Sequence, residues 1–343
     1  MPRSAGVGAA RGTLVSSDQG WRSDGGALMV RIGTWNLENF FRPGGPAGPT
    51  TQDAYDAKLS ALAQTITELA PDVLAVQEVG EPAALQDLAD KLAGYAHLAT
   101  ADPDERGIRV GFLSKLELRD THQVSTFPAP LRPIQVDDTA DAVDAMGRPA
   151  LVGTVTTAAG TSITLITCHL KSKLLTFPGG AFSTRDEGLR ARYGAYALGR
   201  RAAEATTVRD AATQLLDGKG KERAVLVLGD LNDEPGAATT QILYGPPGSE
   251  IGTRGYDTPD QGDGARLWNL AARIRPADNR YSRIYRGTKE LIDHVLASHL
   301  VAHHVDDGDL TAGPAPDSID DDPNSRRDTP ASDHRPLIAT IDL

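Results

Sequence analysis

Residues 224–235 read AVLVLGDLNDEP, an apolar run that ends abruptly in acids and amides. The apolar part predicts a buried β-strand, which holds its last residue rigidly while the loop beyond it opens to solvent. In an extended chain the i, i+2 spacing turns Asp230 and Asn232 to the same side. Gly, Asp, Asn and Pro also form ordinary solvated turns, but the abrupt end of the strand favours a functional pair.

Three more apolar runs end in polar residues: VRIGTWNL (30–37) with Asn36, DVLAVQE (72–78) with Glu78, and SITLITCH (162–169) with His169. A carboxylate is a hard oxygen ligand suited to Mg²⁺ or Mn²⁺. An amide can orient water or a phosphate oxygen, and an imidazole can donate a hydrogen bond to one. Taken singly, each also has an ordinary interpretation: a turn-forming asparagine, an exposed acid at a strand end, or a hydrogen-bonded core histidine.

Two Asp-His pairs occur near the end of the chain, in LIDHVLA (291–297) and in SDHRPL. Asp333 is suited to bind a metal or orient an imidazole, and His334 to act as a general acid or stabilise a developing oxyanion. Asp293 is suited to accept a hydrogen bond from a histidine and raise its basicity. His294 would point the opposite way along its strand, so we interpret it as structural.

Apolar residues spaced by three and four predict an amphipathic helix: Tyr55, Leu59, Leu62, Ile66 and Leu69. Thr50 or Thr51 is suited to cap this helix, and Pro71 to end it. Two further helices are predicted, one with Leu85, Leu88 and Leu92 that ends at Gly94, and a long one in 187–216. Further strands are predicted at 108–114, 151–157 and 336–341.

Many strands follow one another with helices between them and without a linker, which indicates a single α/β catalytic domain over 29–343. We expect a four-layer α/β sandwich, in which helices cover the outside of two packed, mostly antiparallel sheets. Residues 1–28 are small, polar and Gly-rich and lack the apolar core of a signal peptide. We therefore expect a disordered tail there.

The formal net charge of the 343-residue chain is −11, which argues against tight non-specific nucleic-acid binding. Basic residues nevertheless cluster locally, with eight basic and three acidic residues from His169 to Arg209. The stretch 280–289 holds four basic residues and no acid. Local contacts with a phosphate backbone are therefore compatible with the acidic total.

A single cysteine, Cys168, excludes an intrachain disulfide and a cysteine-based zinc cluster. We predict that it is buried in the core. A single cysteine without a partner suits a reducing compartment. No apolar stretch of the sequence approaches the length of a membrane span. We therefore expect a cytoplasmic protein.

The sequence has acids, amides and imidazoles at strand ends but lacks the usual motifs of a nucleophilic serine, a phosphate-binding P-loop or a zinc protease. Such a set is suited to direct attack of water on phosphorus while a cation neutralises the charge that develops. A hydrolase of phosphate esters is the activity that these residues indicate.

The ordered series TWNLEN, DVLAVQE, ITLITCHLKSK, VLVLGDLNDEP, ELIDHVLAS and SDHRPL resembles the endonuclease/exonuclease/phosphatase superfamily, to which pancreatic-type deoxyribonuclease belongs. The matches run from Asn36 to His334. His169 lies where the deoxyribonuclease branch has histidine and the repair branch usually has tyrosine, which counts against an abasic-site repair enzyme. RYSRIYRGTKELIDHVLAS is also similar to segments of bacterial extracellular nucleases.

The resemblance implies Mg²⁺ or Mn²⁺ at Glu78, supported by Asn36 and Asp333. It implies that Asp230 and Asn232 position the attacking water and the phosphate. It also implies that His334, oriented by Asp293, stabilises the transition state, with His169 beside the phosphate. Candidate contacts to substrate phosphates are Lys171, Arg185 and Arg283.

Three functions remain open. The first is a metal-dependent nuclease of low sequence specificity, and the second is a hydrolase of a small or lipid-linked phosphate ester, which the acidic net charge favours. The third is a catalytically silent binding module, against which the intact set of polar residues argues. The segment 174–209 is either a rim of the site or a solvated Arg-rich helix, and oligomeric state is not readable from the sequence.

Three other features carry ordinary interpretations. His303 and His304 lack spaced partners for a metal. The Asp-rich run 306–322 lacks the spacing of a Ca²⁺-binding loop and is predicted to be an acidic loop. Trp268 is predicted to lie in the core.

Overall fold

A computed structural model describes residues 29–45, 47–139, 142–320, 322 and 325–343. The tail predicted over 1–28 lies outside the described residues. Strands β1 to β16, in chain order, cover Val30–Phe40, Val73–Val79, His97–Thr100, Arg109–Ser114, Arg119–Thr126, Ile134–Gln135, Ala142–Val143, Ala145–Thr156, Ser162–His169, Ala224–Asp230, Trp268–Asn269, Arg283–Tyr285, Thr288–Glu290, Asp293–Ala297, Leu310–Ala312 and Leu337–Ile341. Helices α1 to α6 cover Gln52–Leu69, Pro82–Ala89, Glu187–Leu216, Ala238–Gln241, Arg254–Asp257 and His299–Ala302.

Two six-stranded sheets form the centre of the protein. The strand order is β15–β16–β1–β2–β4–β3 in the first sheet and β11–β14–β10–β9–β8–β5 in the second. Each sheet has one parallel pair at its centre, β1 with β2 and β9 with β10, and its other pairs are antiparallel. The prediction of two mostly antiparallel sheets is confirmed.

Three hydrophobic clusters define the layers. The cluster between the sheets includes Ile32, Phe112, Leu165, Leu226 and Val295. Apolar residues of α1 and α2 pack on the outer face of the first sheet, and those of α3 pack on the outer face of the second. Because each sheet buries one face against the other sheet and one against helices, the predicted four-layer sandwich is confirmed.

The first and third predicted helices are confirmed, but the second is shorter than predicted, because α2 ends at Ala89 and leaves Leu92 and Gly94 in the turn that follows. Thr51 caps α1 by accepting a hydrogen bond from the Ala54 amide at 3.2 Å, and α1 ends at Leu69, with Ala70 as its C-cap just before Pro71. The long helix α3 begins directly after its N-cap residue, Asp186, whose side chain accepts a hydrogen bond from the Leu189 amide at 2.9 Å. Among the described helices, none combines the length and the apolar character that a membrane crossing requires.

The sequence patterns do not predict the short strands β3, β6, β7, β11, β12 and β13, and the sheets differ from the prediction in three further places. β5 was not predicted, because its sequence RDTHQVST is polar and the strand lies exposed at the sheet edge. β8 begins at Ala145, six residues before the predicted strand, and carries Arg148 with it. The Asp-rich run predicted as a loop contains β15, which pairs with β16. Polar edge strands lack the apolar signal on which such predictions depend.

Strand register brings predicted site residues into one row. Asp230, the last residue of β10, pairs with His169 on β9 and with Asp293 on β14. On the facing sheet, Asn36 of β1 pairs with Gln77 of β2, one residue before Glu78. The two central parallel pairs pack face to face, so their carboxyl ends open on the same edge of the sandwich.

Gly229 allows β9 and β10 to approach closely just before this edge. Its φ is +147°, and an added Cβ would collide with the carbonyl oxygen of Cys168. We expect Gly229→Ala to lower the free energy of unfolding by about 2 kcal/mol or more, measured by denaturant titration. Gly199→Ala in α3, where a Cβ meets nothing within 4 Å, should instead raise it by up to about 1 kcal/mol. Equal stability of Gly229→Ala and wild type would show that the close approach is not required.

Candidate active site

The carboxyl ends of the central strands hold a cluster of acids, amides and imidazoles. Its members are Asn36, Glu78, His169, Asp230, Asn232, Asp293, Asp333 and His334, and the contacts below join them to one another. Most of their side chains are buried, and Glu78 and Asp333 are partly exposed. The residues predicted separately from six stretches of sequence therefore meet in one place.

The Asn36 amide joins the two sheets at this point. Its Nδ2 donates to Glu78 Oε1 at 3.3 Å and to Asp230 Oδ2 at 3.0 Å. Its Oδ1 accepts from the Glu38 amide at 2.9 Å. The second oxygen of Glu78 accepts from the Asn39 amide at 2.8 Å. The Asn36 side-chain amide thus links Glu78, on the first sheet, to Asp230, on the second sheet.

Asp230 lies at the centre of the cluster. Its Oδ2 is 3.5 Å from His169 Nε2 and 4.0 Å from His334 Nε2, and its Oδ1 accepts from the Asn232 amide at 2.8 Å. Burial, followed by the negative charge of Asp293, raises the pKa of Asp230 to about 6. A carboxylate with such a pKa is a competent proton acceptor near neutral pH.

His334 forms a short hydrogen bond with Asp293, with 2.6 Å between Nδ1 and Oδ2. Burial lowers the pKa of His334, but the carboxylates of Asp293, Asp333 and Asp230 outweigh burial and raise it to about 10. The imidazole is therefore held as a cation, with Nε2 directed to Asp230. Asp293 Oδ1 is buried without a hydrogen-bond partner among the described residues.

His169 is held by an arginine that the sequence interpretation missed. Arg148 Nη1 lies 2.6 Å from His169 Nδ1 and 3.0 Å from Nε2, and Arg148 Nε lies 3.5 Å from Asp104 Oδ2. Burial, then the charge of Arg148, lowers the pKa of His169 well below its usual value. β8 pairs with β9 from Leu151↔Thr167 onwards, and extending that register backwards places Pro149 opposite His169 and Arg148 one residue further along the strand.

Four residues at this edge other than glycine have a left-handed backbone: Glu38 (φ 51°), Asn39 (φ 46°), Glu78 (φ 59°) and Asn232 (φ 54°). This region is uncommon for residues other than glycine and is typical of functional sites, where surrounding contacts maintain the strain. Asn232 is fixed further because its Nδ2 donates to Leu170 O at 3.0 Å. The backbone therefore sets the direction of these side chains.

Beside Glu78 lies a second, buried group of charges. Arg326 donates to both oxygens of Glu38, at 2.8 and 3.1 Å, and Lys58 Nζ lies 3.9 Å from Glu38 Oε2. The Asp333 amide donates to the same oxygen at 3.0 Å. Burial, then the charge of Asp333, raises the pKa of Glu38, whereas burial lowers the pKa of Lys58 against the opposing effect of Glu38.

The donor set fits a hard divalent cation. Carboxylates and an amide are the ligands that Mg²⁺ and Mn²⁺ prefer, and Glu78 and Asn36 are already adjacent. Asp230, Asp293 and His334 also lie with ligand atoms within 4.8 Å of one another. A protonated His334 bonded to Asp293 has no free lone pair for a metal, so we favour the Glu78 side of the cluster.

The three residues predicted to contact substrate phosphates lie in different environments. Arg283 forms an antiparallel bridge with His334, and its guanidinium binds Glu290 at 2.7 Å. Lys171 follows His169, but its Nζ donates to the carbonyls of Ser172 and Leu174, and burial followed by Arg200 lowers its pKa to about 8. Arg185 is exposed in the loop before α3.

Three residues behave as the ordinary interpretations predicted. Cys168 and Trp268 are buried in the core. His294 turns away from the cluster, where it contacts the Asn269 side chain at 3.0 Å and the Asp233 carbonyl at 2.9 Å.

A sequence model described as the Endonuclease/Exonuclease/phosphatase family matches residues 33–334. No curated protein matches the chain. The fold is similar to that of TDP2 from Caenorhabditis elegans (TM-score 0.54, 15% identity, 92% of this chain and 76% of that chain). It is also similar to the human Nocturnin catalytic domain with bound sulfate (TM-score 0.53, 16% identity, 91% and 93%). A mannosyl-6-phosphatase from Bacteroides thetaiotaomicron gives a TM-score of 0.52 at 15% identity (90% and 98%).

Proposed function

Because the chain belongs to the endonuclease/exonuclease/phosphatase family, whose members hydrolyse phosphoric esters, we propose that it is a divalent-metal-dependent phosphodiesterase. Its substrate is nucleic acid, cut with low sequence specificity by direct attack of water. Residues 29–343 form the single catalytic domain of this proposal. The cytoplasmic location predicted from the single cysteine is part of the same proposal.

One observation carries the proposal. The Asp230 carboxylate lies within 3.0 Å of the Asn36 amide, 3.5 Å of one imidazole and 4.0 Å of another. The same Asn36 amide lies 3.3 Å from Glu78. A proton acceptor, a fixed imidazolium and a candidate cation ligand are thus within a few ångströms, which is the arrangement that in-line attack of water on a phosphate requires.

In this proposal Asp230 orients the attacking water and accepts its proton. The backbone N–H of Asn232 donates to Asp230 Oδ1 and holds the turn that points Asp230 into the site. In this proposal the Asn232 side chain faces the phosphate. Water is the nucleophile in this proposal, and the single thiol of the chain, Cys168, is buried in the core.

His334 would stabilise the charge that develops on the phosphate oxygens. The hydrogen bond to Asp293 fixes the ring orientation and leaves Nε2 as the donor that faces substrate. His169 would bind another phosphate oxygen, since it lies 3.5 Å from Asp230 on the neighbouring strand, and Arg148, 2.6 Å from the His169 ring, would bind beside it.

Glu78, Asn36 and Asp333 would hold the divalent ion. When bound, Mg²⁺ or Mn²⁺ would neutralise charge on the phosphate as a Lewis acid. For the Asn36 oxygen to ligate the ion, the amide must rotate from its present orientation, in which Nδ2 faces Glu78.

Local positive charge supports a nucleic-acid substrate. The hairpin of β12 and β13 carries Arg283, Arg286 and Lys289, and it is bridged to His334 through Arg283. Phosphate contacts from such basic residues position a nucleic acid without reading its sequence. Low sequence specificity follows from contacts of this kind.

The alternative is a phosphatase or phosphodiesterase of a small or lipid-linked ester. The net charge of −11 favours it, because the field of the whole protein opposes the approach of a long polyanion. One protein of similar fold is a mannosyl-6-phosphatase.

A substrate panel separates these alternatives. Purified metal-free protein is incubated with supercoiled plasmid or with bis-p-nitrophenyl phosphate, with and without Mg²⁺ or Mn²⁺. We expect metal-dependent nicking of the plasmid that EDTA or Asp230→Ala abolishes. Hydrolysis of the small diester without nicking would favour the alternative, and folded protein that hydrolyses neither with any divalent ion would contradict both.

Arg148 provides a test of the phosphate-binding side. Loss of a charged hydrogen-bond donor costs about 1.5–3 kcal/mol, so we expect Arg148→Met to lower kcat/KM for the plasmid about 10- to 100-fold. Arg119→Met, at an exposed arginine paired with Glu117, is the control and should leave kcat/KM unchanged. Unchanged kinetics in Arg148→Met would mean that its guanidinium only supports the His169 ring.

A further inference from the structure

Lys58 is a buried lysine next to the metal side of the site. It is 2% exposed on the inner face of α1, and its Nζ lies 3.9 Å from Glu38 Oε2, too far for a hydrogen bond. A buried charge without a close partner is costly and calls for a reason. The negative charges of Glu38, Asp333 and Glu78 all act on this ammonium.

Arg326 is a second cation in contact with this group of acids. Its guanidinium contacts both oxygens of Glu38 and is 14% exposed, and the charge of Asp333 also acts on it. Glu38 in turn accepts from the Asp333 amide. Two cations from distant parts of the chain therefore enclose the acids that adjoin Glu78.

The charges of this group balance without a metal. Glu38 and Asp333 contribute two negative charges, and Lys58 and Arg326 contribute two positive charges. Asp333 is also one of the proposed ligands of the divalent ion, together with Glu78 and Asn36, so with Glu78 included the group keeps one uncompensated negative charge for a metal. In a site with two metal ions, acids of this kind hold a second cation about 3.5–4 Å from the first.

We propose that the Lys58 ammonium and the Arg326 guanidinium occupy, as fixed cations, the position that a second metal ion would take. The site then binds one divalent ion, because a second would meet two positive charges at short range in a poorly solvated environment. The inference rests on the proposed metal-dependent function. Lys58 and Arg326 are positioning residues in this arrangement, since they act through Glu38 and Asp333.

The number of bound ions tests this proposal without reference to catalysis. Mn²⁺ is titrated into the metal-free full chain, and free Mn²⁺ is followed by electron paramagnetic resonance. We expect one Mn²⁺ per chain for wild type and a second bound Mn²⁺ for Lys58→Met, in which a neutral side chain of similar length leaves the acids uncompensated. Lys115→Met should keep one ion, because Lys115 lies 3.7 Å from Asp72 near the opposite end of β2.

Arg326→Gln is the second variant, since it removes the other cation from a loop rather than from the core. Circular dichroism checks that each variant is folded. If Lys58→Met does not fold, a second Mn²⁺ in Arg326→Gln supports the proposal. Two ions in wild type, or a single ion of unchanged affinity in every folded variant, would overturn it.

The outcome is separable from that of the proposed function. Wild type that binds one Mn²⁺ but hydrolyses no diester would contradict the function and leave the charge substitution standing. Wild type that hydrolyses diesters with two bound ions would support the proposed function and contradict the charge substitution by Lys58 and Arg326. Wild type that binds no Mn²⁺ would contradict both the metal-dependent function and the charge substitution.

Discussion

Replacing Asp230 with asparagine is expected to lower kcat for phosphodiester hydrolysis by about 10³- to 10⁴-fold, because the carboxylate proposed to accept the proton of the attacking water is lost. Asparagine preserves the size of the side chain and its place beside Asn36 and His334. KM should change little, since the phosphate is held by other residues. The measurement is steady-state hydrolysis of bis-p-nitrophenyl phosphate at saturating Mg²⁺ or Mn²⁺.

Stability separates this loss from misfolding. Burial raises the pKa of Asp230 from 3.8 to about 6, so above pH 6 its charged form destabilises the fold, and this destabilisation diminishes as the pH falls through 6. The Tm of metal-free Asp230→Asn at pH 8 should therefore equal or exceed that of wild type. Asp210→Asn, at an exposed position of α3, is the control for activity. An active Asp230→Asn would exclude Asp230 as the proton acceptor.

The second large effect is expected at the imidazolium. His334→Gln should lower kcat by about 10²- to 10³-fold, the usual result of removing one donor that stabilises charge in the transition state. Asp293→Asn should cause a smaller loss, because the imidazole stays in place but is less firmly held as a cation. His122→Gln, an exposed histidine on β5, is the control for both variants.

A double-mutant cycle tests whether the two residues act as a unit. If Asp293 acts only through His334, the double variant His334→Gln/Asp293→Asn should be no less active than His334→Gln alone. Losses that add in free energy would mean that Asp293 contributes separately, for example by binding the metal ion with its unpaired Oδ1.

The meeting of the site residues follows from strand ends that the sequence reveals. AVLVLGD, SITLITCH and LIDHVLA are apolar enough to be predicted as buried strands, and their polar final or central residues then pair in register as His169, Asp230 and Asp293. The motifs TWNLEN and DVLAVQE likewise place Asn36 and Glu78 at the ends of predicted strands, which lie in the facing sheet. Strong local signals and a regular sheet geometry make this part of the site predictable.

Arg148 and Lys58 illustrate what local patterns do not reveal. Arg148 precedes the apolar part of β8, so its segment gave no strand signal, and its contact with His169 depends on a register set by other strands. Lys58 follows Tyr55 by three residues and so lies on the buried face of α1, yet a lone lysine among apolar positions does not indicate which acids it faces. Such contacts depend on tertiary packing, since Arg148 and His169 are 21 positions apart and Lys58 lies 275 positions before Asp333, one of the acids that act on it.

Arg326 and Glu38 make the same point over a greater distance. They are 288 positions apart, and Arg326 lies beyond an Asp-rich stretch that the sequence suggested was solvent-exposed. Their ion pair depends on the left-handed turn at Glu38, for which the sequence TWNLENF offers no turn-forming glycine. The charge arrangement beside the metal ligands is thus a property of the assembled fold.

The stereochemistry at phosphorus tests the central claim most directly. A phosphodiester carrying a chiral phosphorothioate is hydrolysed by the metal-loaded enzyme in water labelled with heavy oxygen, and the configuration of the product is determined. Direct attack by water oriented by Asp230 predicts inversion, because one in-line displacement takes place. Retention would contradict the account, since it requires two displacements through a covalent enzyme intermediate, for example on a histidine or a carboxylate, in place of direct attack by water.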